Sequence, residues 1–415
     1  MLALLTGAGL IVAIACRSES ENADVTPRPI ASVSASATPA QSMERLIPDP
    51  GPAKPITFEP LPEDSTPPSP VIYDTLTGTP LEPSTAAYRA AWLAVDPRPA
   101  AHFGQGRIAL YDHADGQWWA LKDFDRPNLG PASSDRSRLA ISVPGRLVLL
   151  DLAAGTWQEY QIEARPVAWS PDDRRLAVTI RSQDPLHSPH IVFPVASPVS
   201  AVRLPLGKSP NSIAQSPPVW LSNTRLLMVS QNVDLLQVID IAGTSPRLVL
   251  EESIPSDQVA LSPDKTLLAV RESLPAPGRV PIYRLEPFSL LRTLEGASLG
   301  YQLAVPSEIW ARDNSQLLAH TGACGDSQRL MLFDFTATTQ REIAVGRVMR
   351  FVLSPDAKWV AYTFFGRDGY VVPSDGSAAR RLVSEDVAAP VAPHWSADSR
   401  YVAFTAHFGG YGHCE

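Results

Sequence analysis

Cysteine and histidine are scarce in this chain, three and eight in 415 residues. That leaves little material for a structural metal cage, which needs closely spaced Cys and His ligands. Lysine and arginine number 35 against 43 acidic residues, for a net charge of −8. No basic block follows the N-terminus, which excludes the electrostatic footprint of a nucleic-acid partner. After residue 16 the apolar runs are short and 41 prolines interrupt them, which argues against a helical protein. No glycine-rich phosphate loop is present, since "GAGL" falls inside the first apolar run. What the chain has is a hydrophobic content of 44%, enough for a real core.

It also has a sentence that it repeats. "AWSPDDRRLAVTI" (168–180) reads as a strand, a Ser-Pro-Asp turn and a second strand of period two. Variants centre on Asp135, Asp172, Asn223, Asp264, Asp313, Asp356 and Asp398, every roughly 40 to 50 residues, the period of a propeller blade. A bulky residue closes the first strand of most copies: Trp169, Trp220, Leu261, Trp310, Leu353 and Trp395. These side chains are placed to wedge between neighbouring blades. Ala177, Ala269, Ala319, Ala361 and Ala403 in the second strand suit a crowded sheet near the axis.

A second strand pair follows most hairpins, as in "GRLVLLDLAAGTWQEYQI" and "RLMLFDFTATTQREIAV". Each blade is therefore four antiparallel strands, a to d, and the fold class is all-β. The seventh hairpin lacks outer strands, while "GRIALYDHADGQWWALKDF" (106–124) has a c–d pattern with no obvious a–b pair before it. Joining the two gives seven blades and removes a free edge. Eight is the rival count, with "VIYDTLTGTPLEP" as a c–d hairpin and "AWLAVDPRPAAHF" as a worn a–b pair.

The first sixteen residues, "MLALLTGAGLIVAIAC", are shorter than the ~20 residues of a membrane span and fit a signal sequence. Ala13-Ile14-Ala15-Cys16 resembles a bacterial lipobox, which implies a diacylglycerol anchor on Cys16. Residues 17–87 are rich in Pro, Ser and Ala and are expected to form a disordered tether. The propeller is assigned to 88–415.

The motifs in "AWSPDDRRLAVT", "LSPDKTLLAV", "LSPDAKWVAYT" and "HWSADSRYVAFT" resemble the WD-repeat-like propeller repeat of the TolB family. The resemblance implies an extracytoplasmic, lipid-anchored propeller of the bacterial envelope that binds a protein. It supplies no catalytic residues and no cofactor.

Candidate site residues follow from the b–c loops. "FFGRDGY" and "HFGGYGHC" offer Phe365, Arg367, Tyr370, His407, Phe408 and Tyr411, a composition that suits a recognition patch. Packing of these aromatics on their own blades is the alternative. Cys324 and Cys414 form an even pair that a disulfide would satisfy in an exported protein; separate thiols and a zinc site with His320, His407 and His413 are the alternatives. His187 and His190 in "HSPH" read as exposed loop histidines. "GASLG" matches a nucleophile elbow at Ser298, with Asp313 and His394 downstream, yet the strand–turn–helix context is missing. The expectation is a monomeric binding or scaffold module with an envelope or extracellular protein partner, and no enzyme. The rival is a propeller enzyme or small-ligand binder working at the channel mouth.

Overall fold

In the computed structural model, residues 46–61, 69–95, 100–103, 107–112, 116–124, 126–181, 189–205, 218–230, 235–243, 245–254, 258–272, 278–299, 307–322, 327–364, 369–377, 380–381 and 390–406 are described. They form eight antiparallel sheets, seven of four strands and one of five. Six blades follow the chain without a break in order. Blade 2 begins at Asn128–Ala132, blade 3 at Ala164–Trp169, blade 4 at Val219–Trp220, blade 5 at Gln258–Leu261, blade 6 at Ala297–Ser298 and blade 7 at Val348–Leu353. First strands of adjacent blades touch one another, as between blades 2 and 3 and between blades 7 and 8, so the first strands line the axis.

The count of seven is corrected to eight. Arg107–Asp112 and Gln117–Leu121 do not complete the C-terminal hairpin. They are the second and third strands of blade 1, with Ala100–Phe103 inside them and Phe58–Pro60 outside. The C-terminal pair, Pro390–Trp395 and Tyr401–Ala406, instead carries Val71–Asp74 and Thr79–Pro80 as its outer strands in blade 8. The physical reason is local. An apolar strand such as "RIALYD" needs partners on both edges, and it finds them in Ala100–Phe103 just before it and Gln117–Leu121 just after it.

Described residues within the expected tether, 46–61 and 69–87, belong to the propeller. Ile47 is fully buried in the core shared by blades 2 and 3. Lys54–Pro55 adds a fifth strand to blade 2, and Lys54 bonds Glu159 at 3.1 Å. "AWLAV" is also not a strand. Ala86–Val95 forms a helix, α1, whose buried residues Tyr88, Ala91, Trp92 and Val95 fall three and four apart. Thr85 Oγ1 accepts from the Tyr88 N–H at 3.1 Å, an N-cap. The helix packs between Ile72 and Ala403 of blade 8 and Ala109 and Trp118 of blade 1. It fills the seam between the last blade and the first.

The repeated sentence has a physical grammar. In five copies the serine is buried and donates to the aspartate two residues on, at 2.5–2.8 Å in Ser133–Asp135, Ser170–Asp172, Ser262–Asp264, Ser354–Asp356 and Ser396–Asp398. The same hydroxyl accepts the backbone N–H five residues on, at 2.9 Å in each. The residue after the Asp takes a left-handed backbone: Arg136, Asp173, Lys265, Asn314, Ala357 and Ser399, with φ between 55° and 65°. Three of these use the position to reach the preceding blade. Asp173 accepts from the Ser134 and Asp135 N–H groups, Ser399 Oγ accepts from the Asp356 N–H, and Asn314 bonds Asp264.

The wedges behave as the repeat implies. Trp169, Trp220 and Trp310 donate their indole N–H to Pro131, Ala168 and Ala260 of the preceding blade at 3.0–3.3 Å. Ala177, Ala269, Ala319, Ala361 and Ala403 are wholly buried. Ala357 makes no hydrogen bond through its side chain; its methyl packs against the neighbouring core, while the left-handed backbone costs an alanine about 1–2 kcal/mol. Ala357→Gly should therefore raise the urea unfolding free energy by about 0.5–1 kcal/mol after the unfolded-chain entropy of glycine is counted. A lower unfolding midpoint would show that the methyl contact outweighs the strain.

Candidate binding groove

At the end of the barrel opposite the Ser-Pro-Asp turns, blades 2 and 3 part into a groove of about 570 Å³. Blade 2 supplies Asn128 and Leu129 at the start of its first strand, and Ser142 to Pro144 at the end of its second. Blade 3 supplies Glu163 to Pro166, Thr179 and Arg181. The floor is fixed by a close approach of the two first strands. A Cβ on Gly130 would meet Pro166 Cγ at 2.4 Å and the Ala140 carbonyl at 2.5 Å, so only glycine fits there.

The charges at the rim are unequal. Arg181 pairs with Glu163 at 3.0 Å, with both side chains half or more exposed. Arg165 is exposed and has no hydrogen-bond or ion-pair partner among the described residues. Thr179 Oγ1 lies 2.9 Å from His190 Nδ1. His190 is 3% exposed, and burial pushes its pKa down to about 4. It sits in strand His190–Pro194, so the exposed-loop reading of this histidine is corrected. His187 lies outside the described residues.

Of the sequence-derived patch only Tyr370 is described. It stacks on Tyr362, with ring centroids 5.3 Å apart and 12° between planes, and meets Phe364 edge-on. It is thus packed on its own blade. Phe365, Arg367, His407, Phe408, Tyr411, Cys324, Cys414 and Cys16 lie outside the described residues.

The structure does not gather an elbow triad. Ser298 lies in a strand and pairs in register with His320, not His394. Asp313 caps its own turn by accepting from the Ser315 hydroxyl and N–H. His320 is buried, bonds the Gln328 side chain at 3.0 Å and stands edge-on to Phe351. One inner-layer constellation escaped the sequence reading. His394 Nδ1 of blade 8 and Glu308 Oε1, just before Trp310 of blade 6, lie 3.6 Å apart and half-exposed.

The groove residues were hidden because they sit at strand ends, outside the repeated motif. Repeat alignment holds the signal: Arg181 occupies the position of Phe365 and His407, four residues after the axial alanine.

No protein-family model and no curated protein matches this sequence. Solved structures do. The dihydro-heme d1 dehydrogenase NirN, in complex with DHE, superposes with a TM-score of 0.54 at 15% identity, covering 80% of this chain and 72% of that one. Kuenenia stuttgartiensis hydrazine synthase gives a TM-score of 0.42 at 11% identity, over 66% of this chain and 91% of that one. The Myceliophteria thermophila Cps50 (Swd1) beta-propeller domain gives 0.40 at 10%, over 69% and 99%. The NirN likeness supports the propeller fold and carries no function to this chain. The TolB-like resemblance is accordingly supported at the level of the propeller, with no family match behind it. The expectation that the chain is not an enzyme is corrected. It rested on missing motifs, and a dehydrogenase is among the structures similar to this propeller, so the fold gives no ground for excluding catalysis.

Proposed function

We propose that this chain is an exported, lipid-anchored β-propeller of the bacterial envelope that binds a protein partner through the groove between blades 2 and 3. One observation carries the reading: an open groove of about 570 Å³ whose rim presents an arginine with no partner among the described residues. An exposed cation beside apolar walls such as Leu129 and Val143 is the mixture that recognition surfaces use. The lipobox-like Ala13–Cys16 and the TolB-like repeats support the location.

Two measurements test it. Cys16→Ser should release the protein from membranes or leave a heavier precursor; unchanged retention at unchanged mass removes the anchor. A photo-cross-linking residue at Asn128, in the groove, should trap a discrete partner in envelope preparations. The same residue at Lys358, in a Ser-Pro-Asp turn at the far end, should trap none. Equal capture from both positions, or from neither, overturns the groove as the binding face.

A second reading, a propeller enzyme or small-ligand binder working at the channel, is favoured by the His394–Glu308 pair. It places an acid–base couple on the inner layer, where solvent reaches both side chains.

A further inference from the structure

Arg165, Thr179 and His190 are successive register partners on the first three strands of blade 3. They form a transverse polar row at one end of the sheet, and its first two members line the groove. The chemistry of the row has a direction. His190 Nε2 is buried with no hydrogen-bond partner among the described residues, while Nδ1 faces the Thr179 hydroxyl. A neutral imidazole must leave Nε2 either as an orphaned N–H or as an orphaned lone pair, and the lone pair is the less costly orphan. The proton therefore sits on Nδ1 and donates to Thr179 Oγ1. That frees the threonine O–H to donate in turn, and a group bound at the groove must accept.

The cations agree with that polarity. Among the described residues Arg165 has no partner and Arg181 pairs with Glu163 alone. That pair is largely exposed, so displacing Glu163 costs little. In a chain of net charge −8, two arginines at one groove make a local exception of sign. Guanidinium forks match a carboxylate in shape as well as charge.

We infer that the groove recognises a carboxylate side chain on an acidic peptide segment. Arg165 and Arg181 are the cations, Thr179 is the hydroxyl donor oriented by His190, and Glu163 is an internal carboxylate that the ligand replaces. This rests on the groove being the binding face and adds to it the class of ligand.

The test is fluorescence anisotropy with the full-length chain and dye-labelled hexaglutamate, against hexaglutamine of the same length. Hexaglutamate should bind at least about tenfold more tightly, as loss of a charge-assisted hydrogen bond implies. Arg165→Gln should weaken it about tenfold without weakening hexaglutamine. Glu163→Gln should tighten it by roughly twofold to threefold, because Arg181 is released. Lys358→Gln, at the far end, should leave it unchanged. Free glutarate should compete better than equimolar inorganic phosphate.

Equal binding of the two peptides overturns the inference, as does equal weakening by Arg165→Gln and Lys358→Gln. Stronger competition by phosphate overturns it in favour of a phosphorylated ligand. The cross-link from Asn128 separates the two levels. If it persists while the acidic peptide fails, the groove binds by other chemistry; if both fail, the groove reading falls as well.

Discussion

Between pH 6.5 and pH 4 this propeller should lose about 3 kcal/mol of stability for each of two buried imidazoles. His190 and His320 are each 3% exposed, and burial lowers their pKa from the ordinary 6.5 to about 4. In that window the unfolded chain binds a proton at each histidine and the folded chain does not. Unfolding then takes up protons, so stability rises with pH. The contribution is complete above pH 6.5, falls as pH drops toward 4, and is flat below. The turn carboxylates act in a separate, more acidic window. Asp135, Asp313 and Asp398 are held below the ordinary carboxylate range chiefly by the hydroxyls of Ser133, Ser315 and Ser396. Asp334 is drawn down to about 2, first by the Ala337 N–H. Urea unfolding at several pH values should show the steep segment in the wild type and a much flatter one in a His190→Gln, His320→Gln double variant. Parallel curves for the two proteins would mean that the imidazoles are not buried and neutral in solution.

Both histidines show where sequence reasoning stops. "HSPH" and "HTGAC" look like loop fragments, because prolines and glycines flank them. Burial is decided instead by strand register: His190 opposite Thr179, and His320 opposite Leu330 and Ser298. The Ser-Pro-Asp turns and their tryptophan wedges were legible because each is local, spanning under fifteen residues, and because repetition averages out the exceptions. Blade 1 was not. Its outer strand, Phe58–Pro60, comes from upstream of the whole blade, and its inner strand, Ala100–Phe103, carries none of the motif. The helix was missed because "AWLAV" was read only as half of a worn strand pair, although Tyr88, Ala91, Trp92 and Val95 have helical spacing. The groove was invisible for another reason: a charge at a strand end has no period, and its meaning depends on which blade stands opposite.

The closing blade yields the other large effect. Ile72 is fully buried on a strand whose register partner, Ala403, lies 331 positions later in the chain. It contacts α1 through the cluster of Tyr88, Ala91 and Trp92. Around it the two chain regions are stitched by polar contacts: Arg400 Nη2 to Asp74 Oδ2 at 2.9 Å, with Asp74 2% exposed, and the Thr75 N–H to the Arg400 carbonyl at 2.9 Å. Ile72→Asp would bury a carboxylate without a cation beside the apolar α1 cluster, a change that costs more than about 4 kcal/mol. A domain stable by only about 5–15 kcal/mol then sits near its limit. The expected result is a melting transition lowered by many degrees or lost, with aggregation on size-exclusion chromatography as the edge of Tyr401–Ala406 is freed. Leu93→Asp supplies the control, since Leu93 lies on the outer face of the same helix at 45% exposure. It should shift stability by no more than about 0.5 kcal/mol. Equal, small effects of the two substitutions would show that Val71–Asp74 does not complete blade 8 in solution. A large effect of Ile72→Asp alone fixes the seam of the ring at Val71–Asp74 and α1, and not at residues 107–112.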